Sequence, residues 1–353
     1  MSKQIIDTQH AGGEILYLSF NQDLSRLCCG TDIGFMVYDT NPMKIQFQKN
    51  FNAGIAIVEA MYRSNILALV GGGKNPFHPP NKCILWDDEE SCIVSELEYS
   101  GCVRGVKMTK SALVVATDDL IRVYDIKNEL NPLYKIKTGL NYSGLMELSI
   151  SNANPLLITP LKDVGKVALI DYSKEKDKEL GQIQCCKHPI RSIRFNPEGT
   201  QFAVVSEFGT IIRIFDVETK AQVSPELRRG TEKADIQTVY FSDDNKFLLV
   251  ACDKGTIHIY SLTDEYNNTK SSLNMISGVL PTYFASIWSM NKIVVPHNKY
   301  VAGIVKRKKG GNASVIYDIS VFMNDGNYNH YEFTPETNTV QIKKESNFIT
   351  LSD

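Results

Sequence analysis

The sequence predicts an all-β fold, a seven-bladed β-propeller, on three observations. A pattern of three short strands recurs seven times, its later turn carries Gly or Asp, and its closing strand ends in Asp in most copies. The closing residues Asp39, Asp87, Asp125, Asp171 and Asp216 lie 48, 38, 46 and 45 residues apart. A period of about 40–45 residues with several strands per unit is the mark of WD40-type blades. One such sheet cannot bury both faces by itself, whereas sheets stacked around an axis can. Seven units use nearly all of the 353 residues, so one propeller domain over 1–353 is expected.

The units follow in order. The first spans Tyr17 to Asp39 and closes on Gly34-Phe35-Met36-Val37-Tyr38-Asp39. The second, from Ala60 to Asp87, closes on Cys83-Ile84-Leu85-Trp86-Asp87, and the third, from Val106, on Ile121-Arg122-Val123-Tyr124-Asp125. The fourth ends Val167-Ala168-Leu169-Ile170-Asp171, the fifth Ile212-Arg213-Ile214-Phe215-Asp216 and the sixth Ile257-His258-Ile259-Tyr260-Ser261. A degenerate seventh is expected from Ile287 through Val301–Val305 to Tyr317-Asp318-Ile319.

Two segments break the spacing. Gly71-Gly72-Gly73-Lys74-Asn75-Pro76-Phe77-His78-Pro79-Pro80-Asn81-Lys82 has the look of a phosphate loop. Ala68 stands where that motif needs its first Gly, Asn75 where it needs Ser or Thr, and the prolines forbid the helix that should follow. It reads as a blade loop. The second is a long blade-six loop at about 263–284, which begins polar and then carries Leu273, Met275, Ile276, Val279 and Leu280. Loops of this length are uncommon and often functional. Its apolar residues fit a partner or membrane interface, or else a segment folded back on blades six and seven, with Tyr283 and Phe284 opening a buried strand.

Bulk composition narrows the function. With 38 basic and 40 acidic residues the net charge is −2, against a nucleic-acid binder with its basic excess. The eight cysteines form no C-x-x-C pair, and most sit in or beside apolar strands, which suggests a reducing compartment and no metal site. No signal-peptide core follows Met1, and no apolar run is long enough to span a bilayer. There is no nucleophile elbow, no His-Glu-x-x-His and no clustered His/Cys set, so neither an enzyme nor a cofactor is expected.

Chemistry-bearing residues gather in blades five and six. Blade five carries His188-Pro189-Ile190-Arg191 and then Ser206-Glu207-Phe208-Gly209-Thr210-Ile211-Ile212-Arg213. Blade six repeats the second stretch as Cys252-Asp253-Lys254-Gly255-Thr256-Ile257-His258. Aligned on Gly-Thr, Thr210 matches Thr256 and Ser206 matches Cys252, so the two turns are equivalent points on adjacent blades. Between them lies Leu227-Arg228-Arg229-Gly230. Neighbouring side chains of a strand point to opposite sides, so two adjacent arginines can serve two anion sites. Each residue also has a plain structural role open to it: Ser, Thr and Gly satisfying the turn, and Arg213 pairing with Glu207 or Asp216.

On these stretches, with Gly71–Lys82, the whole chain resembles the PROPPINs, WIPI-type propellers that bind phosphoinositides. The family's usual motif is Phe-Arg-Arg-Gly; here Leu227 replaces Phe and both arginines stand. The resemblance implies two rim sites, for phosphatidylinositol 3-phosphate and the 3,5-bisphosphate. The first would use His188, Ser206, Thr210, Arg213 and Arg228, the second Arg229, Cys252, Thr256 and His258. The family often has Ser where Cys252 stands, and a thiol is a poor donor, so a weaker second site is expected. The 263–284 loop matches the family's membrane-inserting loop. Two headgroup sites and an apolar loop reinforce one another. The basic run Lys306-Arg307-Lys308-Lys309 is left outside the site. The implied protein is a peripheral effector on vacuolar, endosomal or preautophagosomal membranes, with protein partners in autophagy or vacuolar trafficking. The alternative is a WD-repeat interaction scaffold that binds no lipid.

Overall fold

A computed structural model describes residues 13–350 except 174–178, 224, 264, 265, 267, 271–286, 298 and 309–314. Seven sheets form the blades of a propeller, six of them four-stranded and antiparallel and the fifth an antiparallel four-stranded sheet with two short strands added at its outer edge. Blade one shows the logic of all. Its strands Ile15–Phe20, Arg26–Thr31, Gly34–Thr40 and Met43–Asn50 lie in order from the inner to the outer edge. The second strand is buried along its whole length, because neighbouring blades cover both faces of the sheet. The outermost strand alternates between exposed and half-buried residues. Its polar sequence Met43-Lys44-Ile45-Gln46-Phe47-Gln48-Lys49-Asn50 explains why the apolar repeat registers only three strands per unit.

The recurring Asp has a structural cause. Asp87, Asp125, Asp171 and Asp216 each end the third strand of a blade. Their carboxylates accept the N–H of Glu89 (3.0 Å), Lys127 (2.9 Å), Ser173 (3.1 Å) and Thr219 (2.8 Å), which closes the turn into the outer strand. Asp side chains favour such turns because they mimic a backbone turn.

Blades two to four run over Ile55–Glu98, Gly105–Lys137 and Glu147–Gln184, blade five over Ile190–Arg228 and blade six from Ile236. The expected start of blade seven at Ile287 is corrected. Ile287–Trp288 pairs in parallel with Leu227–Arg228 on the edge of blade five, and Asn291–Val294 is the outer strand of blade six. Blade seven begins at Tyr300 and ends at Asn347. A count of three strands per blade hands an outer strand delayed by a long loop to the next unit.

Among the described residues blade seven draws its four strands from Tyr300–Asn347, and it meets blades one and six by packing. Phe20 of blade one meets Phe322 of blade seven at 5.6 Å and Tyr240 of blade six at 5.9 Å, both edge to face. Asn324 Nδ2 donates to Ile15 O at 3.3 Å. The Gly71–Lys82 segment is a packed blade-two loop: Phe77 stacks on Phe51 at 4.0 Å, and Gly54 donates to Asn75 O at 2.7 Å. Six of the eight free cysteines are buried, while Cys92 is exposed and Cys102 half-buried.

Candidate anion-binding site between blades five and six

Two equivalent turns frame the site. Gly209 and Gly255 adopt φ of +61° and +65°, the left-handed region where glycine is at ease. Each N–H folds back on the carbonyl three residues earlier, Gly209 on Ser206 (2.9 Å) and Gly255 on Cys252 (3.2 Å). The turns superpose in role as well as in sequence. A side chain at Gly209 would run into Ala234 O, and one at Gly255 into Val295 O.

The arginine pair lies beside them. Leu227–Arg228 pairs antiparallel with Ile211–Ile212 and parallel with Ile287–Trp288. Both arginines are buried, at 6% and 7% exposure. Arg229 reaches towards blade six: its Nε donates to Gly209 O at 2.6 Å, a terminal N–H donates to Glu232 O, and the other lies 3.9 Å from Cys252 Sγ. A Cβ on Gly230 would meet nothing within 4 Å, so the space beside the residue that follows the pair is open.

From Arg229 a polar chain crosses blade six. Cys252 Sγ lies 3.1 Å from Thr256 Oγ1, Thr256 Oγ1 3.4 Å from His258 Nε2, and His258 Nδ1 3.0 Å from Ser289 Oγ. Thus the structure joins all four residues expected for the second site and adds Ser289. Burial, and then the charges of Arg229 and Lys292, push the His258 pKa from 6.5 down to about 4, so the ring is neutral at pH 7. Lys292 faces His258 across the sheet. Neither Ser289 nor Lys292 is marked in the sequence, since both follow the long loop whose return point the repeat pattern misplaces.

The residues expected for the first site are spread along blade five. Ser206 is buried and Thr210 half-buried, on either side of Gly209. His188 is exposed and meets Phe208 edge to face at 4.6 Å. Arg213 pairs with neither Glu207 nor Asp216: its Nε donates to Glu226 Oε1 at 2.9 Å and a terminal nitrogen lies 2.6 Å from the same oxygen. Arg213 and Glu226 face each other because the strand carrying the arginine pair lies next to Ile211–Asp216.

The long loop is anchored here too. Its described ends, Thr269–Lys270 and Ile287–Trp288, pair with each other and extend the sheet beyond Arg228. Leu273, Met275, Ile276, Val279 and Leu280 lie outside the described residues. Two residues of the basic run are held by acids, Lys306 by Asp244 at 3.1 Å, and Arg307 by Asp318 at 2.6 Å and Glu332 at 3.1 Å, while Lys309 lies outside the described residues. Among the described residues no group of three or more His, Cys, Asp or Glu is placed to hold a metal ion, and no helix is long and apolar enough to cross a membrane.

Comparison with known proteins gives the family and the fold. The PROPPIN family model matches residues 15–296. SVP1-like protein 2 of Pichia angusta is 33% identical over 285 residues, covering 78% of this chain and 79% of that protein. SVP1-like protein 2 of Schizosaccharomyces pombe is 32% identical over 254 residues, covering 72% of this chain and 69% of that protein. In fold the chain is similar to Kluyveromyces lactis Hsv2, with TM-score 0.73 and 20% identity over 95% of this chain and 99% of that one. It is similar too to KlAtg21 in its complex with the coiled-coil of AgAtg16, with TM-score 0.71 and 21% identity over 95% of this chain and 99% of that one. A family match over most of the blades, and relatives about a third identical over the aligned residues, make this chain a member of the PROPPIN family.

Proposed function

We propose that the chain is a peripheral membrane effector that binds phosphatidylinositol 3-phosphate and phosphatidylinositol 3,5-bisphosphate at two rim sites. The observation that carries this reading is the chain of polar groups Arg229–Cys252–Thr256–His258–Ser289, with Arg228 buried next to it. A phosphate between Arg229 and His258 finds a planar guanidinium fork, two hydroxyls and an imidazole. It would replace the carbonyls of Gly209 and Glu232 as the acceptors of Arg229. On the other side, Arg228 would act with Ser206, Thr210, His188 and Arg213, the last drawn from Glu226. The 263–284 loop, rooted on the arginine strand, would add an apolar contact from the same edge.

The action would lie in autophagy or in vacuolar or endosomal trafficking. Support comes from the SVP1-like relatives and from the neighbour solved with a coiled-coil of AgAtg16, which also favours a protein partner of that machinery. Liposome flotation tests the reading. Wild type should float with vesicles holding a few mole per cent of either lipid, and Arg228→Thr/Arg229→Thr, shown folded by circular dichroism, should not. A wild type that stays unbound at low salt with both lipids would leave the chain a protein-interaction scaffold.

A further inference from the structure

A second set of charges lies on the propeller axis, remote from the arginine pair. Glu59, Lys107, Glu147, Arg194 and Tyr240 are the penultimate residues of the inner strands of blades two to six. Equivalent strands bring equivalent positions together, so five consecutive blades set acid, base, acid, base and phenol around the channel. Arg194 lies 3.0 Å from Glu147 Oε1 and 3.8 Å above the Tyr240 ring. Lys107 is held charged by Glu59 and Glu147, which outweigh its burial.

One group in this ring is incompletely matched. Glu59 is 3% exposed; its Oε1 accepts from Gln22 Nε2 at 3.3 Å, while Oε2 is buried without a hydrogen-bond partner. Burial above all, with Glu147 adding to it, lifts its pKa to about 7 against the pull of Lys107, Arg194 and the Met108 N–H. A buried acceptor left unmade is costly, and more so when charged. Glu59 borders a space of about 20 Å³, room for a single water. Gln22, Glu147, Leu148, Ile150 and Arg194 line this space and also a wider cavity of about 310 Å³. The wider cavity has an apolar collar that includes Leu24, Phe241 and Ile304, and Asp23 and Asp243 stand at its edge. It opens at the ends of the inner strands, the face opposite the two Gly-Thr turns.

We propose that this channel mouth is a binding site for a single cation on a short alkyl stem, with Glu59 as its counter-ion and the collar around the stem. Lys107 borders the small space beside Glu59 and with Arg194 balances the two acids of the ring, while Asp23 and Asp243 leave the two spaces together with more acids than bases, a lining that favours an ammonium or guanidinium. That chemistry comes either from a free amine or from a lysine or arginine side chain of a protein docking on this face.

Thermal unfolding of the full chain at pH 7.5 and fixed ionic strength tests the site with n-hexylammonium, hexanol and hexanoate as probes. A ligand of the folded state alone raises the melting temperature in a saturable way. Hexylammonium should do so, and hexanol and hexanoate should not. Glu59→Gln keeps the shape and the contact to Gln22 and should weaken hexylammonium by about tenfold or more. Should that variant fail to fold, Ile150→Trp fills the collar, leaves every charge in place and should abolish the shift. Nα-acetyl-lysine methylamide separates the sources: binding like that of hexylammonium points to a partner's side chain, and binding of hexylammonium alone to a free amine. Equal shifts from hexanol and hexylammonium, no shift at all, or an undiminished shift in folded variants would overturn the proposal and leave Glu59 Oε2 to an ordered water.

Discussion

Acid should destabilise this propeller through His258. Its ring is 6% exposed and held between Thr256 and Ser289, with Arg229 and Lys292 as charged neighbours. The folded pKa is about 4, against 6.5 in the unfolded chain. Above pH 6.5 both states hold a neutral ring, and the full preference of the fold for that form is present. As pH falls below 6.5 the unfolded chain takes up a proton that the folded protein refuses, and stability drops. The loss continues until the folded ring titrates near 4, and then stops. Over that window it amounts to about 3 kcal/mol, of which about 2 kcal/mol is lost by pH 5. Urea denaturation at pH 7 and pH 5, on wild type and on His258→Gln, isolates this share from other titrating groups. Wild type should lose about 2 kcal/mol more than the variant between the two pH values. Equal losses would refute the reasoning, because they would mean that the ring is protonated as readily in the fold as outside it.

Further perturbations test other parts of the molecule. Cys252→Ser places an O–H where the thiol lies 3.1 Å from Thr256 and 3.9 Å from Arg229, and should tighten 3,5-bisphosphate binding about three- to fivefold. Unchanged or weaker binding in flotation titrations would show that the thiol does not limit the site. Tyr300→Phe removes the hydroxyl that lies 2.9 Å from Cys252 O and 3.0 Å from Thr256 O, and should cost about 1 kcal/mol in urea denaturation. Phe77→Ala strips the ring stacked on Phe51 and should cost about 2–3 kcal/mol, read as a lower urea midpoint at constant slope.

The sequence by itself determined the architecture, because blade physics is local. Middle strands covered on both faces are largely apolar, and turns into the outer strand favour Asp, so the apolar strand recurs from blade to blade and the Asp in most of them. The equivalence of the two Gly-Thr turns was legible for the same reason, since a left-handed turn selects glycine at a fixed offset. Outer strands such as Met43–Asn50 were not, for a half-exposed, polar strand carries little apolar signal. Only the tertiary structure decided where the chain returns after the long loop. Ile287–Trp288 joins the arginine strand of blade five and Asn291–Val294 closes blade six, and that return delivers Ser289 and Lys292 to His258. It also decided that Arg213 pairs with Glu226, and that five inner strands gather Glu59, Lys107, Glu147, Arg194 and Tyr240 on one axis. Those partners are set by which strands lie side by side and by the closure of the ring. Such contacts join residues from 13 to dozens of positions apart, and no local pattern records them.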